Sequence, residues 1–218
     1  MKKKLVQLAV LVSMLVLNGP WAGAFSLVGP ETLPVDRNGL RIGMGYPSIY
    51  AAYHIPITSN FEVAPKFSFF YGWDTDIVLG NKVGAEFRYN FLKQDDFALG
   101  LTFDTAAVFV YDPEFAFGIQ IGGPGILASY EFQRDSYLIG GMRVPFGFFP
   151  DQMEGVWATI PILFVLGGEF KLSPDLNLFA LLELGPDILA LDYDGPLEDD
   201  DSDVQFSPNF HIGISYLF

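Results

Sequence analysis

The last ten residues, Asn209-Phe210-His211-Ile212-Gly213-Ile214-Ser215-Tyr216-Leu217-Phe218, alternate with a period of two. In an extended strand Phe210, Ile212, Ile214, Tyr216 and Phe218 share one side, and Asn209, His211, Gly213 and Ser215 share the other. That is the pattern of a strand with lipid on one face and a polar lumen on the other. A soluble β-sandwich also alternates, but it rarely carries this much aromatic surface: 50% of the chain is hydrophobic and 16% aromatic.

The opposite end is of a different kind. Lys2, Lys3 and Lys4 precede an apolar run from Leu5 to Leu17, and Ala22-Gly23-Ala24 supplies small residues at a cleavage position. These are the parts of a secretory signal peptide, residues 1–24, cut after Ala24. The run is interrupted by Gln7 and Ser13 and falls short of the roughly 20 residues a helical span requires. Export removes three lysines and leaves nine basic residues against 26 acidic ones, a net charge of −17. Such a balance disfavours nucleic acid as a partner, since phosphate binding needs clustered Lys and Arg. The absence of cysteine excludes a disulfide framework and thiolate metal sites.

After a periplasmic lead over residues 25–38, turn signals divide residues 39–218 into ten expected strands: 39–46, 48–57, 61–72, 78–92, 97–111, 116–132, 136–149, 156–171, 176–191 and 207–218. Parity supports the division. In the fourth segment Val83, Phe87, Tyr89 and Phe91 face outward while Lys82, Glu86, Arg88 and Asn90 face inward. In the sixth, Phe117, Ile119 and Ile121 have one parity and Ile126, Ala128, Tyr130 and Phe132 the other, with Gly122-Gly123-Pro124-Gly125 at the switch. A bulge there restores a single apolar face. Short connections at 58–60, 93–96, 133–135 and 173–175 alternate with a second set, and aromatic residues gather near both ends of the strands. The expected fold is all-β, a transmembrane antiparallel up-and-down barrel of ten strands. If the segments around Gly45-Tyr46-Pro47-Ser48 form one bent strand or a plug, the count becomes eight.

With its terminal aromatic, the closing segment resembles the last strand of bacterial outer-membrane β-barrel proteins. The resemblance extends over the chain from Phe25 onward and rests on architecture, not on a subfamily motif. It implies an outer-membrane location among lipid and lipopolysaccharide. Periplasmic chaperones and a barrel-assembly machine are implied as biogenesis partners, with Tyr216 and Phe218 forming the assembly signal.

The expected lumen holds Arg41, Lys66, Lys82, Arg88, Arg143 and Lys171 against Glu62, Glu86, Asp104, Glu131, Glu169, Glu183 and Asp187. A barrel of eight to ten strands has room for side chains or one small ligand, so these charges are expected to pair and fill it. His211 is expected to form a buried ion pair with Asp187. Ser207 completes a Ser, His, Asp set by type, but along a strand it lies roughly 13 Å from His211, too far for a nucleophile and its base. An enzyme is therefore not expected. No cofactor is expected either, beyond loose Ca²⁺ or Mg²⁺ at the rim.

The rim is one-sided. The second set of connections carries Asp74, Asp76, Asp112, Glu114, Asp151, Glu154, Asp192, Asp194, Glu198, Asp199, Asp200, Asp201 and Asp203, with no lysine or arginine. The seven carboxylates from Asp192 to Asp203 lack the spacing of an EF-hand. They read as a solvated acidic loop, or as a loose divalent-cation cluster bridging to lipopolysaccharide phosphates. The functional expectation is a narrow, ion-paired barrel acting in envelope structure or surface interaction. The alternatives are a small porin-like channel and, behind it, an outer-membrane lipid hydrolase or protease.

Overall fold

A computed structural model describes residues 25–72, 78–112, 115–122, 124–150, 156–192 and 204–218. Its strands form a closed antiparallel barrel of ten. They are β1 (Gly39–Tyr46), β2 (Ser48–Pro56), β3 (Phe61–Phe70), β4 (Leu79–Gln94), β5 (Phe97–Asp112), β6 (Ala116–Gly122 continued by Gly125–Gln133), β7 (Ser136–Arg143 continued by Pro145–Pro150), β8 (Val156–Pro161 continued by Leu163–Ser173), β9 (Leu176–Asp192) and β10 (Val204–Leu217). Each pairs with its sequence neighbour, and β1 pairs with β10 from Gly39↔Leu217 to Tyr46↔Phe210 to close the ring. The ladder extends one step further, with Asn38 and Phe218 exchanging two backbone hydrogen bonds of 3.0 Å. The first hairpin is thus two separate strands, which settles ten over eight.

Alternation accounts for the wall. Val83, Phe164, Leu166, Phe206 and Phe210 point outward and are exposed, while Arg88, Glu62, Glu86 and Glu169 point inward and are buried. Apolar outside and charged inside inverts the arrangement of a water-soluble barrel. A continuous apolar exterior far exceeds the few hundred Å² that a soluble monomer presents, so hydrocarbon is the medium that suits this surface.

The parity switch in β6 is a bulge. Against β5, Ile121 lies opposite Thr105 but Gly125 lies opposite Thr102, so β6 spends one more residue than its partner over the same rise. The register against β7 shifts at the same place, from Gly122↔Pro145 to Ile126↔Met142. One extra residue returns Ile126 and Tyr130 to the apolar face already occupied by Phe117 and Ile119.

The lead is placed differently from the expectation. Residues 25–33 enter the barrel, where Phe25, Ser26, Leu27, Val28, Glu31 and Leu33 are buried. Phe25, Leu27 and Leu33 pack on Leu217, and Val28 joins Leu127, Ile139, Val165 and Phe179 in the larger apolar cluster. Four apolar side chains drive this insertion, because a solvated lead would leave them in water at roughly 25 cal/mol per Å². The expected signal peptide, Asp194 to Asp203 and most of the other acidic connections lie outside the described residues.

Candidate functional site

The lumen is built in two layers. The first, at the end bearing the short turns and Phe218, is the inserted segment with the charges that grip it. Ser26 Oγ donates to Glu169 Oε2 at 2.6 Å, and the Leu27 N–H donates to the same oxygen at 3.2 Å. Leu33 N donates to Glu62 Oε2 at 3.0 Å, and Asn177 Nδ2 donates to the Phe25 carbonyl at 2.9 Å. Arg88 Nη1 donates to the Gly29 carbonyl at 2.8 Å, and Arg41 Nη1 donates to the Leu27 carbonyl. Ser129 donates to Glu31. Irregular backbone inside a barrel has no ladder to satisfy it, so wall side chains supply the partners.

The same charges pair among themselves. Arg88 binds Glu62, whose Oε1 also lies 2.6 Å from His54 Nδ1. Arg41 Nη2 lies 2.6 Å from Glu86 Oε2, with both side chains buried. Arg143 lies 3.2 Å from Glu183, reaching across β8 to β9. A buried ion is stabilised only when its partners are close and its remaining hydrogen-bonding capacity is met. Arg88 satisfies that condition with Glu62 on one branch and the Gly29 carbonyl on the other.

The second layer is a cavity of about 220 Å³ above this floor, reaching toward Pro47 and Gly72 at the long-connection end. Lys66, Lys82, Asp104, Arg143, Glu183 and His211 are in its lining. Lys82 Nζ donates to Gln120 Oε1 at 2.9 Å. Lys66 Nζ stands 4.8 Å from the centre of the Tyr50 ring. His211 packs edge-on to the same ring at 5.2 Å, its Nε2 lying 3.1 Å from Ser48 Oγ.

Several expected lumen charges lie elsewhere. Lys171 pairs at 2.7 Å with Asp135 in the β6–β7 turn, and Glu131 Oε1 accepts the Asp135 N–H at 2.6 Å. Both brace a turn at the barrel end, where Asp135 adopts a φ of 59° and needs local anchoring. Asp187 does not meet His211. The β9–β10 register sets Asp187 opposite Gln205 and His211 opposite Leu181, six residues apart on a strand, roughly 20 Å. The same register sets Ser207 opposite Gly185, so Ser207, His211 and Asp187 form no triad.

Sequence reasoning missed His54, Glu31 and Ser26. His54 shares inward parity with Tyr50 and Ala52, a signal present in the strand. The inserted segment announces itself only by Phe25, Leu27, Val28 and Leu33, too apolar for a solvated lead. Of the expected assembly signal, Tyr216 and Phe218 project outward, with ring centres 5.9 Å apart. The cation cluster expected at Asp192, Asp194, Glu198, Asp199, Asp200, Asp201 and Asp203 has only the Asp192 backbone among the described residues, at the end of β9.

No protein-family model matches the chain, and no curated protein does. Among solved structures, the chain is similar to OmpT, an outer membrane protein of Vibrio cholerae folded in vitro, at 13% identity and a TM-score of 0.38. The alignment covers 85% of this chain and 62% of that one.

Proposed function

We propose that the protein is an outer-membrane barrel kept closed by its own N-terminal segment, acting in envelope structure or surface interaction and not as an open porin. The observation that carries this reading is the burial of residues 25–33 in the lumen, tied to the wall through Glu169, Glu62, Arg88, Arg41 and Asn177. At the turn end the charges of Glu169, Glu62, Arg88 and Arg41 meet one another or the inserted backbone, which supports a lumen filled there by protein. The outward aromatic and aliphatic faces suit the bilayer, and the two layers leave a charged cup facing the long connections.

Liposome swelling tests this. Vesicles containing the folded protein should not swell in isosmotic arabinose, whereas an open barrel admits the sugar. Swelling at the rate of a general porin would overturn the reading.

A further inference from the structure

β7 and β8 run antiparallel with Gly147 opposite Thr159 and Arg143 opposite Leu163. Carried across the interval, that register sets Pro145 opposite Pro161, and between the two flanking pairs the ladder has no bridge. Ile162 donates its N–H across to Pro186 on β9 at 2.9 Å, so residue 161 turns its own backbone groups toward β7. Ordinary residues at such a site exchange two hydrogen bonds, but two prolines have no N–H to give. Pro186, opposite Ile162, likewise returns no bond. Prolines in sheets are normally confined to edges and bulges; here they face each other inside a closed wall.

The seam lies beside the cavity, which Pro145, Pro161 and Leu163 help to line. Its outward residues are Val144 and Ile162, so it opens onto the apolar exterior. Across the lumen, Lys66 has the Tyr50 ring beside it and, among the described residues, no carboxylate within ion-pair distance. Arg41 and Arg143 are engaged by Glu86 and Glu183. Lys66 is thus the cavity cation most available to an incoming anion. The mouth is an unfavourable route for that anion, because the long connections carry carboxylates and no basic residue. The inserted segment closes the other end.

We propose that the cavity binds a single-chain carboxylate that enters from the bilayer between β7 and β8, its headgroup on Lys66 and its chain trailing toward Pro145 and Pro161. About 220 Å³ holds one chain and excludes a two-chain lipid. The proposal rests on the reading of a membrane-spanning barrel closed at its turn end. That reading is judged by permeability, and this one by binding, so the two fail separately.

The probe is dodecanoate labelled with ¹³C at the carboxyl, added to the protein in phosphatidylcholine nanodiscs. A saturable bound carboxyl resonance, distinct from the lipid-dispersed pool, is expected. Lys66→Met should weaken binding at least tenfold, and dodecanol should not compete. Because the chain lacks cysteine, Val144→Cys with Ile162→Cys places one pair directly across the seam. Oxidising that pair should slow exchange between bound and lipid pools at least tenfold, and reduction of the same sample should restore it, a comparison that needs no second folded variant. The absence of a bound resonance, or binding indifferent to Lys66, would overturn the proposal. Exchange indifferent to the disulfide would equally overturn entry through the wall.

Discussion

Ser26 and Glu169, separated by 143 positions in sequence, are joined inside the barrel by a 2.6 Å hydrogen bond from hydroxyl to carboxylate. The bond fastens the segment that enters the lumen to the eighth strand of the wall, and both residues are buried. Glu169→Ala leaves the Ser26 hydroxyl and the Leu27 N–H buried without acceptors, at about 1–3 kcal/mol for each group. The segment should loosen while the barrel stays closed. Hydrogen exchange at Leu27 should accelerate at least tenfold, with exchange in β4 and β5 unchanged; equal protection in the variant would refute the latch.

Arg88 and Glu62 are both buried, and Glu62 also engages His54 and the Leu33 N–H. Arg88→Ala should destabilise the folded barrel by about 3–5 kcal/mol, because a carboxylate remains in the interior without its cation. Urea titration in lipid vesicles measures this, and a loss below about 1 kcal/mol would mean that water reaches the site.

Glu31 lies in the inserted segment, outside the strands, and burial raises its carboxyl above the usual range, with the bond from Ser129 opposing. The sign follows from linkage. A raised folded-state pKa gives a stabilising contribution that is complete below the unfolded value and disappears as pH rises through the folded one. Seating of the segment should tighten on acidification. A spin label at Val35→Cys, an exposed position, should become less mobile as pH falls, and Glu31→Gln should flatten the response. An identical profile in that variant would refute the role of Glu31.

Much of the wall was legible in the sequence because parity is a binary signal. A one-residue error would put Lys82, Glu86 and Arg88 into hydrocarbon at roughly 2–4 kcal/mol for each Lys or Arg, so the sequence admits few registers. The β6 bulge was legible for the same reason. The lumen was less so, since parity says that a charge points inward but not at what height. Asp187 and His211 share a face yet sit six residues out of register. The inserted segment has no period at all, and its position depends on contacts such as Asn177 to Phe25 between residues 152 positions apart.

Phe218 extends the closing ladder through its bonds with Asn38 and rests its ring on Tyr53 and Tyr216. Deleting it removes two backbone bonds, each worth about 0.5–1.5 kcal/mol, and the terminal aromatic. Less heat-modifiable protein should reach the outer membrane and an unfolded periplasmic pool should grow. Undiminished assembly would show that the β1–β10 closure and its assembly do not depend on this residue.

Closure by the inserted segment is tested most directly by recording current across a planar bilayer into which the folded protein, beginning at Phe25, has been incorporated. The account predicts no stepwise conductance from the full chain and discrete steps from a variant lacking residues 25–33. Large, regular steps from the full chain would contradict it.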